Sequence, residues 1–206
     1  ESLIEKEKFD PIDQMQRYLK WSRDGYLSSN GKCFDIGMTV GNALRKFEKT
    51  KDPYSGSEDP NSAGNGSLMR LAPIPLVYAN DEIVAMEKAV ESSRTTHGTK
   101  NCTDACRYMA VLIIGAIKGK SKQTILNEIA LPTLEIWNQR PLAPAIANIA
   151  SGSYQRKEPP EIKGTGYVVD SLEAALWAFY KSENFEEGAL MAVNLGDDAD
   201  TTGAIY

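Results

Sequence analysis

The chain has no long hydrophobic run and no excess of positive charge. Its longest apolar stretch, residues 109–117, is far shorter than the roughly 18 residues that a membrane-spanning helix needs. The 23 basic residues are outnumbered by 28 acidic ones, and the net charge is −5. The sequence therefore excludes a membrane span and a general basic surface for nucleic acid, although it is compatible with a local basic patch.

Cysteine and histidine are also scarce. Cys33, Cys102 and Cys106 form an odd set, which excludes a fully paired disulfide framework. Cys102 and Cys106 share a helix face, but with one histidine and no second cysteine pair a zinc site is not expected. Reduced core thiols in a cytoplasmic protein are the expectation. No secretory signal is found, and because Glu1 is not a natural start the sequence does not decide targeting.

Alternating strand patterns are nearly absent, whereas helical periodicity recurs. The 206 residues can bury a large core in one domain, and we find no internal repeat. We predict an all-α domain of about eight helices. They cover residues 11–21 (capped by Asp10), 35–47 (capped by Asp35), 81–90, 103–118, 122–130, 142–150, 170–180 (capped by Asp170) and 185–194. The main loops are predicted at residues 25–35, 51–70, 95–101, 158–169 and 196–202.

The densest functional signal is an acidic motif near the end of the chain. Asp197, Asp198 and Asp200 stand beside two hydroxyls, Thr201 and Thr202, directly after an apolar stretch. Crowded carboxylates repel one another unless a cation or full solvation compensates them. Such an all-oxygen set suits Mg²⁺, Mn²⁺ or Ca²⁺. The alternative is a solvated loop.

A second signal is the turn formed by Gly64, Asn65 and Gly66 with Ser67 behind it. Glycines on both sides of an asparagine expose backbone N–H groups, and the following helix offers the positive end of its dipole. This geometry suits an anionic ligand such as a diphosphate. A plain turn is the alternative.

Two further residues lie on loops. His97 is the one histidine, and it lies on the loop between two predicted helices. It either contacts a ligand or is a structural or surface residue. Tyr167 stands between a glycine-containing turn and a predicted helix. Its ring can pack on a ribose or a base, and filling the core is the equal alternative.

Together, the segments 62–70, His97, 164–170 and 196–203 occur in the order and spacing of a known family. They resemble the ADP-ribosylglycohydrolases of the dinitrogenase-reductase-activating type, and the resemblance covers essentially the whole chain. It implies a compact orthogonal multi-helix bundle that is all-α. It also implies two divalent metals, Mg²⁺ or Mn²⁺, within the bundle.

The resemblance implies the following site. Asp198, Asp200 and Thr201 match the metal ligands, whereas Asp197 stands where the family usually has glycine. The substrate-binding positions match Gly64, Asn65, Gly66, Ser67, His97, Gly166 and Tyr167. Some branches of the family carry an acidic residue at the position of Ser62, so the general base stays open, with Glu58 and Asp59 nearby.

The resemblance further implies that the chain is a single domain over residues 1–206, truncated at both ends. The family's N-terminal Thr-Asp-Asp-Thr motif, which supplies the other metal ligands, has no counterpart here. We therefore expect these 206 residues to bind metal weakly or not at all and to be inactive alone.

The implied function is metal-dependent hydrolysis of the bond between ADP-ribose and a modified protein or a related acceptor. One alternative is a non-catalytic ADP-ribose-binding or crystallin-like structural protein of the same fold. Another is hydrolysis of a different ribosyl compound. The acceptor linkage, the native metal and the oligomeric state are open at this point.

Overall fold

The computed structural model describes residues 1–127 and 134–206, and this part of the chain is helical. The all-α prediction is confirmed: the described residues contain no strand, and two isolated bridges pair Ser57 with His97 and Gly64 with Tyr167. The helices are α1 (Ser2–Lys6), α2 (Pro11–Asp24), α3 (Met38–Thr50), α4 (Gly66–Met69), α5 (Pro73–Val77), α6 (Glu82–Arg94), α7 (Lys100–Ile117), α8 (Lys122–Asn127), α9 (Leu134–Gln139), α10 (Pro144–Ala150), α11 (Val168–Lys181), α12 (Phe185–Val193) and α13 (Ala199–Ile205).

Two helix starts follow from local capping chemistry. The Asp10 carboxylate accepts the amide hydrogens of Ile12 and Asp13 at 3.0 Å each, with Pro11 at the first helical position of α2. Asp81 caps α6 in the same way, by accepting from the Val84 amide at 3.1 Å. Both predicted starts are confirmed.

Two predicted caps are wrong. Asp35 does not cap α3, which begins after Gly37, and its backbone has a positive φ of 50°. Asp170 lies inside the first turn of α11, two residues after the helix begins at Val168. Its carboxylate accepts a hydrogen bond from the hydroxyl of Thr165 at 2.8 Å, so it stabilises the loop before α11.

The described residues form more helices than the eight we expected. Short helices α4 and α5 and a 3-10 turn (Pro60–Ser62) occupy segments rich in glycine and proline. The predicted helix 122–130 is present as α8, and its last three residues lie outside the described part. The predicted loop 196–202 is helical from Ala199 onward.

Helices α7 and α11 form the centre of the main core. Helix α7 packs against α5, α6, α10 and α11, and α11 packs against α12 and α13. Cys102 and Cys106 are fully buried on α7 as free thiols, as predicted, and burial raises the pKa of Cys102 to about 12. Helix α4 contacts α7, α11 and α13, so the starts of α4, α11 and α13 come together at one end of the core.

A smaller apolar cluster joins α2 to α3. Met15, Leu44 and Phe47 are buried there, and Tyr18 and Val40 pack against them. This pair of helices forms the other side of the site described below. None of the helices in residues 1–127 and 134–206 combines the length and apolar character that crossing a membrane requires. The single-domain assignment stays a prediction.

Truncating Leu172 should test the central position of α11. Leu172 is fully buried, so we expect Leu172→Ala to lower the free energy of unfolding by about 2–5 kcal/mol, since it leaves a cavity. Leu190→Ala on α12 is the matched control, because that side chain is 52% exposed, and it should cost less than about 0.5 kcal/mol. Urea denaturation measures both variants, and equal losses would contradict the assignment.

Candidate functional site

A cleft of about 680 Å³ lies between the α2–α3 pair and the starts of α4 and α13. It brings together sequence segments that are far apart. The predicted site residues that line it are Gly64, Asn65, Gly66, His97, Gly166, Asp198, Asp200 and Thr201.

Backbone hydrogen bonds join three loops behind this cleft. The amide of Asn65 donates to the carbonyl of Gly166 at 3.1 Å, and the amide of Val168 donates to the carbonyl of Ala63 at 3.0 Å. The amide of Asp198 donates to the carbonyl of Gly164 at 2.8 Å. The glycine-rich turn, the segment before α11 and the acidic motif are therefore held in fixed register.

The side chain of Asn65 is the centre of this junction. It is 6% exposed, and its amide nitrogen donates to the Ser171 hydroxyl and to Oδ2 of Asp198, both at 2.8 Å. Because a carboxylate only accepts, the NH₂ group must face Asp198. The hydrogen bond orients that carboxylate toward the cleft without neutralising its charge.

The acidic motif offers the oxygen atoms that a hard divalent metal prefers, but too few of them to complete its coordination. Asp198, Asp200 and Thr201 offer only oxygen donors on one wall of the cleft, which suits Mg²⁺ or Mn²⁺. Within residues 1–127 and 134–206, no group of three or more His, Cys, Asp or Glu side chains is arranged to hold an ion. These three residues could therefore supply some of the oxygen ligands of a metal ion, together with further ligands from elsewhere. Asp197 is exposed and lines a different groove.

His97 is 2% exposed and reaches the cleft with one edge of its ring. Its Nδ1 lies 2.7 Å from the hydroxyl oxygen of Thr96, and its backbone amide donates to the carbonyl of Ser93 at 2.7 Å. Burial, and then the nearby charge of Arg70, lower the pKa of His97 to about 3. The imidazole is therefore neutral at physiological pH.

The two glycines of the turn leave room for this ring. A Cβ atom placed on Gly66 would lie 3.1 Å from Cε1 of His97, and one placed on Gly64 would lie 3.3 Å from Nε2. Both distances are shorter than ordinary van der Waals contact. A side chain at either position would therefore push the ring of His97 aside by a few tenths of an ångström, so the glycines favour its close approach.

Sequence reasoning missed Arg70, which lies at the base of the cleft. Its Nη2 donates to the hydroxyl of Thr96 at 2.8 Å and to that of Thr95 at 3.1 Å. Its guanidinium also stacks 5.0 Å from the ring centroid of Tyr18. The signal in the sequence was a single cation at the end of a glycine-containing turn, with paired threonines before the histidine.

The opposite wall of the cleft carries large apolar side chains beside Ser28, Ser29, Asp35 and Thr39, and sequence reasoning missed this apolar surface as well. Helices α2 and α3 and the loop between them contribute large side chains that remain exposed or half-buried. They are Trp21, Leu27, Phe34 and Met38, joined by Met69 from α4. A cleft with oxygen donors on one wall and apolar groups on the other suits a ligand that has a polar part and a flat apolar part.

Two predicted site residues do not line the cleft. The side chain of Ser67 is buried and lies 2.9 Å from the hydroxyl of Ser93. Tyr167 is 41% exposed, and its hydroxyl accepts from the side-chain amide of Asn101 at 3.0 Å.

Comparison with known proteins gives a consistent result. The sequence model of the family described as ADP-ribosylglycohydrolase matches residues 1–206. The ADP-ribosylarginine hydrolase Tri1 of Pseudomonas putida (strain GB-1) is 35% identical over 99% of this chain and 53% of its own length. The ADP-ribosyl-dinitrogen reductase glycohydrolase of Rhodospirillum rubrum is 23% identical over 99% of this chain and 61% of its own length.

A solved structure agrees with these sequence matches. It is an ADP-ribosylglycohydrolase-related protein complex, which superposes with a TM-score of 0.80 at 40% identity and covers 100% of this chain and 64% of that chain. The present chain spans about half the length of the Tri1 relatives that it matches.

The protonation of His97 gives a testable pH dependence. A folded pKa of about 3, below the ordinary 6.5, means that the unfolded chain binds the extra proton first. The contribution of His97 to the free energy of unfolding is thus fully present above pH 6.5. It is lost as the pH falls toward 3, by up to about 1.4 kcal/mol per pH unit.

The ring resonances of this one histidine should therefore stay constant from about pH 8 to about pH 5 in NMR spectra of the folded protein. The same resonances in urea-unfolded protein serve as the control and should titrate near 6.5. A midpoint near neutrality in the folded state would show that the imidazole is not buried as described.

Replacing the bridging amide should test the junction at Asn65. Asn65→Asp keeps the shape but places a second carboxylate 2.8 Å from Oδ2 of Asp198, so we expect the free energy of unfolding to fall by about 1–3 kcal/mol. Asn42→Asp makes the same change on an exposed side chain of α3 and should cost less than about 0.5 kcal/mol. Thermal unfolding followed by circular dichroism compares the two, and a stable Asn65→Asp protein would refute the contact.

Proposed function

The chain belongs to the ADP-ribosylglycohydrolase family, and from this premise we propose that the protein hydrolyses the N-glycosidic bond between ADP-ribose and arginine side chains of modified proteins. The observation that carries the proposal is the meeting of the acidic motif and the glycine-rich turn in one cleft, through the hydrogen bond from Asn65 to Asp198. Arginine is the proposed acceptor because two relatives above 30% identity are ADP-ribosylarginine hydrolases.

In this proposal the acidic wall binds the ribose next to the scissile bond. Two divalent ions, Mg²⁺ or Mn²⁺, held in part by Asp198, Asp200 and Thr201, would supply positive charge beside the ribose hydroxyls when bound. Asn65 fixes the direction of the Asp198 carboxylate through its 2.8 Å hydrogen bond. A hydrogen bond of this kind holds a metal-binding carboxylate in one orientation.

The rest of the cleft suits the remainder of ADP-ribose. The neutral ring of His97 would face a ligand oxygen, and the absence of side chains at Gly64 and Gly66 would let a diphosphate approach the turn closely. The amides of Gly64 and Asn65 already donate to the carbonyls of Ser62 and Gly166, so these two N–H groups are not offered to the anion. Phe34 and Met38 offer an apolar surface on which an adenine can pack. Ser67 and Tyr167 act indirectly in this proposal, because their side chains lie outside the lining of the cleft.

We assign no general base. Glu58, Asp59 and Ser62 line a neighbouring hollow, which shares Met38 and Thr39 with the cleft. The Asp59 carboxylate is already engaged in capping the 3-10 turn, where it accepts from the amide of Asn61 at 2.9 Å. A cytoplasmic location is part of the proposal and is supported by three free thiols.

Release of ADP-ribose from ADP-ribosylarginine by the full-length gene product, with Mg²⁺ or Mn²⁺ present, tests the proposal. Asp198→Asn and Asp200→Asn should each lower kcat/KM by about a hundredfold, because each removes a charged oxygen donor. Asp197→Asn is the matched control and should keep activity near that of the wild type, since Asp197 lies outside the cleft.

Liquid chromatography of the released ADP-ribose measures these rates. A wild-type protein that releases none from arginine, in either metal, would refute the proposed reaction. Calorimetric binding of ADP-ribose without turnover would instead support the non-catalytic alternative. Equal losses in all three variants would refute the assigned metal-binding wall.

A further inference from the structure

The half-buried Arg70 and the buried Thr96 form a chain of hydrogen bonds that leads to His97 at the cleft. We propose that Arg70 and Thr96 are positioning residues that set the tautomer of His97, so that Nε2 carries the proton and faces the cleft as a hydrogen-bond donor. The tautomer follows from the contacts of these three residues. The use of that donor on a ligand oxygen rests on the proposed function.

The first link is the guanidinium of Arg70. Its Nη2 donates to the Thr96 hydroxyl at 2.8 Å, to the Thr95 hydroxyl at 3.1 Å and to the carbonyl of Ser92 at 3.1 Å, and Nη1 donates to the carbonyl of Gly66 at 3.2 Å. A guanidinium can donate but cannot accept. The oxygen of Thr96 is therefore an acceptor toward Arg70.

The second link is the hydroxyl hydrogen of Thr96. Thr96 is fully buried, and its oxygen lies 2.7 Å from Nδ1 of His97. Within the described residues, Nδ1 is the acceptor available to this hydrogen. Thr95 differs, because its hydroxyl donates to the carbonyl of Ser92 at 2.7 Å. Thr96 thus donates to Nδ1, which must be unprotonated to accept.

The opposite tautomer would leave one group unpaired. A hydrogen on Nδ1 would make the Thr96 oxygen accept from both Arg70 and His97, and the hydroxyl hydrogen of Thr96 would then have no acceptor. A buried polar group without a partner is costly, so the ratio of the two tautomers should favour the proton on Nε2 by about tenfold or more.

The third link is the position of Nε2. It lies beside the turn, and a Cβ atom on either Gly64 or Gly66 would lie 3.3 Å from it. No hydrogen bond from the described residues reaches Nε2, and His97 lines the cleft. The ring therefore offers a neutral N–H donor, which selects a ligand atom that accepts, such as a ribose oxygen.

Nitrogen-15 NMR tests the tautomer directly, because every imidazole signal comes from this one histidine. A long-range proton–nitrogen spectrum distinguishes the protonated from the unprotonated ring nitrogen. We expect the proton on Nε2 in the wild type. A wild-type spectrum with the proton on Nδ1 would overturn the inference without any variant.

Three variants test the positioning residues. Thr96→Val removes the hydroxyl and should shift the tautomer ratio by about tenfold toward Nδ1–H or a mixture, whereas Thr96→Ser should restore the wild-type spectrum. Thr95→Val is the matched control: it also removes a contact with Arg70 but does not touch the ring, so the wild-type tautomer should persist. An unchanged spectrum in Thr96→Val, or loss of the tautomer in Thr95→Val, would overturn the proposed role.

Arg70→Met tests the first link in the same experiment. Without the guanidinium, the Thr96 hydroxyl is no longer held as an acceptor on that side and can rotate its hydrogen away from Nδ1, so we expect a mixture of tautomers. A wild-type ratio would exclude Arg70 from the chain of hydrogen bonds. These spectra need neither substrate nor turnover. A protein with the proton on Nε2 that fails to release ADP-ribose would refute the proposed function and leave the positioning intact, whereas an active protein with the proton on Nδ1 would do the reverse.

Discussion

The site depends on one neutral hydrogen-bond donor, the side-chain amide of Asn65. It connects the glycine-rich turn to Ser171 at the start of α11 and to Asp198 in the acidic motif, which lie 106 and 133 residues further along the sequence. Each of these segments is a loop or a short helix that could not hold its own conformation, since isolated short helices are marginal. The buried amide, together with the backbone bonds from Asp198 to Gly164 and from Asn65 to Gly166, gives them a common frame that rests on the core formed by α7 and α11.

A second constraint is the burial of an imidazole beside a guanidinium. The two groups would repel each other if both were charged, and the protein avoids this by keeping His97 neutral and placing the hydroxyl of Thr96 between them. The ring fits because Gly64 and Gly66 lack side chains. The same glycines that predicted an anion-binding turn from the sequence therefore accommodate the histidine, while the amides of Gly64 and Asn65 bond to carbonyls of the protein itself.

The sequence predicted what depends on local chemistry. Asp10 caps α2, as predicted, through atoms within three residues of itself, and such a contact can be read from a motif. Asp35 and Asp170 have the same side chain, but the surrounding loops decide where α3 and α11 begin, so the local pattern was wrong there. The acidic motif and the turn around Asn65 were recognisable as sites, whereas the contact between them was not, because no local pattern encodes a partner 133 residues away. The roles of Arg70 and of the apolar wall could not be predicted from a local pattern, because both depend on which helices pack together in the folded protein.

The choice of an amide to hold Asp198 has an electrostatic consequence. A lysine or arginine at the position of Asn65 would also orient the carboxylate, but its positive charge would offset the negative charge that attracts a metal ion. The amide engages one oxygen of Asp198 and supplies direction without a net charge. A wall built from Asp198, Asp200 and Thr201 therefore keeps its full negative potential where it faces the cleft. If the protein acts on ADP-ribose as proposed, this potential would disfavour the anionic diphosphate unless a cation is present, so we expect ADP-ribose binding to depend on the metal that the same wall would hold.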